Sequence, residues 1–394
     1  MKKKFACLAM AMVMVLSLAA CGGKKEEAPA AAPAESGSDS SVSVFKVGTI
    51  GPLSGDAAIY GQAVANGAKI AVDEINAAGG AIQFELQSQD DEADGEKSVN
   101  AYNTLMDWGM QVMVGPTTTG ASIAVSAQAN ADRTFMLTPS ASSVDVIDGK
   151  DNVFQVCFTD PNQGVASADY ISANMAGAKV AVIYRNDDAY SQGIRDTFVS
   201  EAADKGLEVV YEGTFTADTA TDFSVQLTGA QSAGADTVFL PIYYQPASVI
   251  LNQANAMGYE PTFFGVDGMD GILTMEGFDT SLAEGVMLLT PFSADAEDAR
   301  TQTFVKAYQD QFGETPNQFA ADAYDGVYIM KAALEAAGCT ADMSSADICE
   351  AVVSVMTTIS VDGLTGQGMT WSADGAVSKA PMAVVIKDGV YVTP

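Results

Sequence analysis

The stretch "FKVGTIGPLSGDAAIYGQAVANGAKIAVDEINAAGGAIQFELQ", Phe45 to Gln87, holds one complete strand–helix–strand unit. "FKVGTIGPL" reads as a buried strand. After Gly61, the residues Val64, Ala68, Ala71, Val72 and Ile75 recur at helical spacing, and Gly79-Gly80 stops the helix. "IQFELQ" then alternates as a second strand. Outward from this unit the theme repeats. A helix is expected from about Gly95 to Trp108, then short strands "QVMVG" and "TFMLT" flank a helix near Ala121 to Ala129. A second series follows a change near Thr159 to Asn162, with strands "KVAVIYR", "LEVVYEG", "DTVFLP" and "PTFFGV", each leading into a helical segment. Such alternation defines an α/β protein with mostly parallel sheets and helices on both faces. The C-terminal third differs. Helical segments near Glu297–Gln311, Asn317–Ala337 and Ser344–Met356 come in succession. "QGMTWSADGAVSKAPMAVVIKDGVYVTP" then reads as antiparallel strands turning at Asp374-Gly375 and Asp388-Gly389.

The N-terminus has a different character. Lys2, Lys3 and Lys4 precede an apolar run from Phe5 to Ala20, shorter than the roughly 20 residues that span a bilayer. It ends on small residues, as a cleaved export signal over residues 1–20 would. Leu18-Ala19-Ala20-Cys21 resembles a bacterial lipobox, which implies a lipid on Cys21. Residues 21–43, rich in Ala, Pro, Glu, Ser and Gly, cannot bury enough apolar area to order themselves and read as a tether. Without residues 1–20 the chain carries sixteen basic and fifty acidic residues, a net charge of −34. That charge argues against nucleic-acid binding. The remaining 350 or so residues exceed a single hydrophobic core, so two lobes are expected. There is no histidine, which removes the commonest general base and neutral metal ligand. Cys157, in the apolar "VFQVCF", reads as a buried thiol. Cys339 and Cys349 lie ten residues apart, and the sequence leaves open whether they pair.

In open parallel sheets, ligands sit beyond the C-terminal strand ends. Two segments stand there. In "VGPTTTGAS", Val114 to Ser122, Gly115 and Gly120 are spaced like a phosphate loop, but Ala121 replaces the required lysine. What remains is a helix N-terminus with free amides and threonine hydroxyls, suited to a carboxylate. "LTPSASS", Leu137 to Ser143, offers a second set of hydroxyls and amides. "FFGVDGMDG" places Asp267 after another strand, where an isolated carboxylate is usually a solvated loop charge or a helix cap; if it faces a cleft, it can pair with an ammonium group. "DDEADG", from Asp90, opens like a calcium loop with Asp90, Glu92, Asp94 and Gly95, yet its twelfth position is Ala101.

The ordered set "GPLSGDAAIYGQ", "DEINAAGG", "QDDEADGEKSV", "VGPTTTG", "LTPSASS", "NDDAYSQG" and "FGVDG" resembles the branched-chain amino-acid-binding (Leu/Ile/Val-binding-like) receptors of ABC importers. The resemblance implies two Rossmann-like lobes in the type I periplasmic binding protein, or Venus-flytrap, arrangement. Lobe one would comprise residues 44–160 and 291–362, lobe two 161–290 and 363–394. Thr119 matches the hydroxyl donor to a ligand α-carboxylate. Ser140 matches a position supplying backbone groups, and Ser142 a hydroxyl touching both carboxylate and ammonium. Tyr190 and Tyr244 match second-lobe residues that close over the ligand. Asp267 matches the acidic partner of the α-ammonium, where the family's well-known receptors carry glutamate. Tyr60 and Phe319 match aromatic positions at the side-chain pocket. The implied protein is a non-enzymatic monomer without metal or cofactor, lipid-anchored at the outer face of the cell membrane. Its implied partners are an amino acid, a permease and an ATPase. Alternative readings are a same-fold receptor for an amide, a carboxylic acid or a polar amino acid, a ligand-sensing surface protein, or an extracytoplasmic hydrolase. The last lacks histidine and a Gly-x-Ser-x-Gly elbow.

Overall fold

The computed structural model describes residues 42–394. The expected export signal, Cys21 and nearly all of the tether lie outside the described residues.

In the first half, strands alternate with helices as β1 (Ser43–Gly51), α1 (Ala58–Ala78), β2 (Ile82–Asp90), α2 (Gly95–Trp108), β3 (Val112–Val114), α3 (Thr119–Asp132), β4 (Phe135–Thr138) and β5 (Val153–Gln155). The α1 stripe read from the sequence is buried, and Gly79 closes the helix in the left-handed conformation, its N–H reaching the Asn76 carbonyl. The strands form a wholly parallel sheet in the order β2-β1-β3-β4-β5. A second series follows: α4 (Asp160–Asn174), β6 (Lys179–Arg185), α5 (Ala189–Lys205), β7 (Glu208–Phe215), α6 (Ser224–Ser232), β8 (Thr237–Leu240), α7 (Tyr244–Met257), β9 (Thr262–Gly265) and β10 (Met287–Thr290). Its strands are ordered β7-β6-β8-β9-β10, the same doubly wound order. Each lobe therefore has a topological switch point, between β1 and β3 in the first and between β6 and β8 in the second.

The last third contributes α8 (Ala299–Phe312), α9 (Gln318–Ala336) and α10 (Ser345–Met356), then β11 (Met382–Lys387) and β12 (Val390–Val392). The three helices return to the first lobe. A Cβ on Gly67 of α1 would collide with the Ala320 carbonyl of α9, so glycine permits that close approach. Ser345 Oγ donates to the Gln111 carbonyl at 3.0 Å, pinning α10 beside β3. β11 extends the second sheet antiparallel to β10 and β12 pairs antiparallel to β11, the two joined by a turn at Asp388-Gly389 with positive φ at both residues.

The expected placement of residues 363–394 wholly in the second lobe requires correction. Residues 363–379 lie on the first. Trp371 Nε1 donates to the Gln155 carbonyl at 2.8 Å, and Gln155 N–H donates to the Gly375 carbonyl at 3.0 Å. Asp325 of α9 accepts from the amides of Leu364 and Thr365, each at 2.8 Å. Only two isolated bridges, Val361 with Met369 and Trp371 with Val377, form where a full hairpin was expected. Two short strands escaped the sequence reading: "VFQ" of β5 and "MLLT" of β10, three and four residues long. Cys339 and Cys349 are free thiols in the core, and Cys157 is buried as expected. Among the described residues no helix is long and apolar enough to cross a membrane.

Candidate functional site

Both switch points open onto one cleft. Beyond β1 lies Tyr60; beyond β3, Thr117, Thr118 and Thr119; beyond β4, Ser140. From the second lobe come Tyr190 after β6, Tyr243 after β8, and Asp267 with Gly268 after β9. Phe319 of α9 completes the wall. With the lobes this close, the gap these residues surround is small, about 20 Å³, room for roughly one water.

On the first lobe, short bonds tie the turn after β3 to the end of β4 and the turn that follows it. Thr138 Oγ1 donates to the Pro116 carbonyl at 2.7 Å, and Ser140 Oγ to the Thr117 carbonyl at 2.6 Å. Thr117 Oγ1 donates to the Ile50 carbonyl of β1 at 3.1 Å. These bonds hold the start of α3 against the cavity. Thr118 is its N-cap in an extended conformation but makes no side-chain capping bond, and its buried Oγ1 has no partner. Free amides, the helix dipole and the Thr118 and Thr119 hydroxyls thus present donors without any basic side chain.

The second lobe answers with an acid. Asp267 is buried, and its Oδ1 accepts from the Tyr190 hydroxyl at 2.6 Å. Tyr190 in turn accepts from Gly268 N–H at 2.9 Å. A Cβ on Gly268 would run into Tyr190 and Tyr243, so only glycine lets this loop come so close. Burial pushes the Asp267 carboxyl up to about 7, against the lowering effect of bonds from Tyr190, Gln163 and the Gly268 amide. Asp322 adds repulsion that raises it further. The cavity therefore sets an anion-accepting helix end opposite a carboxylate, with aromatic rings between. Tyr60 packs edge-on to Phe319 at 4.6 Å, Tyr244 at 4.9 Å and Tyr243 at 5.3 Å between centroids.

Of the eight residues expected at a ligand site, six line this cavity: Tyr60, Thr119, Ser140, Tyr190, Asp267 and Phe319. Ser142 and Tyr244 do not. Ser142 is fully buried at the crossing between lobes, where its Oγ accepts a long bond from Gln163 Nε2 at 3.4 Å. Tyr244 opens α7, and its hydroxyl crosses to the first lobe, donating to the Asp56 carbonyl at 2.7 Å. Its neighbour Tyr243 takes the cavity position instead. Adjacent tyrosines point to different sides of a helix start, and the three-residue turn after β8 decides which faces the cleft. Thr117 and Thr118, read in the sequence among the threonine hydroxyls of "VGPTTTGAS", also line the cavity, as does Gly268, which the sequence reading passed over. Their signal was position: each lies within a few residues of a strand end. The calcium-like "DDEADG" is a turn, with Asp90 accepting from Leu53 N–H and Ser54 Oγ and Asp94 capping α2. No group of three or more His, Cys, Asp or Glu among the described residues could hold a metal ion.

The fold and this cleft define a two-lobed solute receptor, and comparison with known proteins agrees. The chain belongs to the periplasmic binding protein family, whose pattern it matches over residues 44–389, and within it to the Leu/Ile/Val-binding-like receptors. It is 32% identical over 311 residues to the Leu/Ile/Val-binding protein homolog 3 of Brucella melitensis, covering 76% of this chain and 81% of that one. It is 31% identical over 303 residues to the Leu/Ile/Val-binding protein BraC3 of Rhizobium johnstonii, covering 75% and 80%. Among solved structures, a branched-chain amino acid transporter substrate-binding protein from Streptococcus pneumoniae, in complex with isoleucine, superposes with a TM-score of 0.78 at 30% identity. That match covers 89% of this chain and all of the other.

Proposed function

We propose that this chain is an extracytoplasmic solute-binding lipoprotein of an ABC importer, binding an amino acid in the cleft between its lobes and presenting it to the permease. The observation that carries this reading is the opposition of Thr119, at the free amides of α3, and Asp267 across one small cavity. A zwitterion satisfies both ends, its carboxylate on the helix N-terminus and its ammonium on Asp267. The aromatic wall of Tyr60, Tyr243 and Phe319 suits an apolar, branched-chain side chain. The solved relative from Streptococcus pneumoniae, in complex with isoleucine, supports the same ligand class. Recognition is by binding, without catalysis or cofactor, in a monomer divided near residues 156–160, 290–298 and 380. Anchoring rests on Leu18-Ala19-Ala20-Cys21, through a lipid on Cys21 that holds the receptor at the outer membrane face by its tether.

A thermal-shift screen of the soluble domain against all amino acids, followed by calorimetry, tests the ligand. A binder at about 100 times its dissociation constant raises stability by roughly 2.7 kcal/mol. No response to any amino acid would defeat the reading. For the anchor, Cys21→Ser should release the protein from the cell surface into the medium, and a variant that stays on the cell counts against lipidation.

A further inference from the structure

We infer that Gln163 and Gln318 are a pair of positioning residues that clamp the Asp267 peptide from both lobes and so set the receptor's preference for the α-ammonium position. The inference rests on the proposed amino-acid reading of the cleft. Asp267 sits in a loop with little regular structure, where a single three-residue helical turn follows β9. Nothing in that loop alone would hold a carboxylate to a fraction of an ångström, yet recognition of one charge by another needs that precision.

Both glutamines are buried, at 0% and 1% exposure. Gln163 stands in the first turn of α4, immediately past the first crossing between lobes. Its Oε1 accepts from the Asp267 N–H at 3.1 Å, and its Nε2 reaches Ser142 Oγ. The amide thus joins the loop that follows β4 to the loop that follows β9. Gln318 approaches from the other lobe, as the first residue of α9. Its Nε2 donates to the Asp267 carbonyl at 3.3 Å and to the Leu289 carbonyl at 3.4 Å, and its own N–H donates to Asp270 Oδ2 at 2.9 Å. The peptide groups on both sides of the Asp267 Cα are therefore each held by a different glutamine. A side-chain amide suits this task because it offers donor and acceptor together and carries no charge beside the carboxylates of Asp160 and Asp267. The adjoining Phe319 lines the cavity, so the Gln318 bonds also register α9 against the ligand.

The test has two arms. In the ligand-free protein, hydrogen–deuterium exchange is followed in the segment 265–271 for wild type, Gln163→Met and Gln318→Met. Exchange there should quicken about tenfold in each variant, while the β6 and β8 segments stay as in wild type. Unchanged exchange in 265–271 overturns the clamp. In the second arm, calorimetry compares L-leucine with β-homoleucine, whose ammonium is displaced by one methylene. The leucine preference should fall about tenfold in Gln163→Met. Gln163→Glu, which keeps the acceptor for Asp267 N–H, should recover part of the preference at low pH, where the protonated carboxyl also donates to Ser142. A preference unchanged in Gln163→Met, or one that Gln163→Glu does not recover at any pH, rejects the positioning role. Failure of wild type to bind either compound counts against the amino-acid reading, and the exchange arm still decides the clamp.

Discussion

Asp267 concentrates the chemistry of the cleft in one side chain. Taken from water without a counter-ion, its carboxyl holds its proton up to about pH 7, where an unfolded aspartate gives it up near 3.9. The folded state thus binds the proton more tightly. This group's contribution to stability is complete below about pH 4 and is lost as pH rises through about 7. Ligand binding has the opposite sign, because the ammonium needs the ionised form. Amino-acid affinity should rise between about pH 5.5 and 7.5, with protons released on binding at the acid end. Calorimetry in two buffers of unlike ionisation enthalpy reads that release, and identical heats in both buffers would argue against an ammonium on Asp267. Tyr190 from α5, Asp160 from α4 and Asp322 from α9 face the same region, and none is a cation. Asp267→Ala should weaken binding by about 3–5 kcal/mol through the unpaired ammonium left behind, with the fold intact by circular dichroism. An affinity within twofold of wild type would remove Asp267 from the site. At this scale the sequence was legible wherever a residue's place beside the cleft follows from its distance to a strand end, as for Thr119, Ser140 and Asp267. It was not legible for Tyr243 against Tyr244, because one residue of helix phase separates a cavity wall from a lobe-to-lobe contact.

Among the elements, the segment 363–379 shows what periodicity leaves undecided. "MTWSADGAVSK" alternates like a hairpin, and Asp374-Gly375 does turn, but polar contacts to Asp322 and Asp325 of α9 and to Gln155 of β5 draw the segment onto the first lobe in place of a sheet. Lys379 Nζ meets Asp322 Oδ1 and Thr365 Oγ1, each at 2.6 Å, and Thr365 Oγ1 donates to Asp325 Oδ2 at 2.7 Å. Lys379 and Asp322 side chains are each 2% exposed. Burial alone would keep Asp322 protonated, and the Lys379 ammonium pulls against it. Breaking such a pair from one side costs about 3–5 kcal/mol, whereas replacing both partners with apolar side chains is often neutral. Lys379→Met should therefore destabilise strongly in urea unfolding, and Lys379→Met with Asp322→Leu should regain most of the loss. A double variant no more stable than the single one would show that the segment is held by something other than this pair. The sequence carried the helices and the long parallel strands well, since 3.6-residue and buried-run patterns extend over many residues. Strands of three and four residues, such as β5 and β10, give too few positions to show a period, and a lysine drawn into the core looks no different in sequence from one in solvent.

For the molecule as a whole, the proposed function rests on a balance between open and closed lobes, and the arrangement in this structure is joined across the cleft by bonds that no ligand makes. The Tyr244 hydroxyl of the second lobe donates to the Asp56 carbonyl at 2.7 Å and accepts from Ile59 N–H at 3.4 Å. Tyr60 of the first lobe donates to the Gly268 carbonyl and accepts from the Tyr244 N–H at 3.2 Å. Each of these bonds exists only with the lobes together, so each favours closure whether or not the cleft is filled. Apparent affinity scales with the fraction of binding-competent receptor, so weakening closure weakens binding without touching a ligand contact. Tyr244→Phe isolates the effect. It keeps the ring packed edge-on against Tyr60 and removes only the hydroxyl, and with it two hydrogen bonds worth about 0.5–1.5 kcal/mol each. Amino-acid affinity should fall by about five- to 150-fold, mostly through faster dissociation. Small-angle scattering should show a more open ligand-free protein, and saturating ligand should restore the wild-type profile. If Tyr244→Phe leaves both the ligand-free scattering and the dissociation rate unchanged, the Asp56 and Ile59 bonds do not contribute to closure. The energy for it would then come from the remaining bonds between the lobes, those of Tyr60 and Gln318 among them, and from the ligand itself.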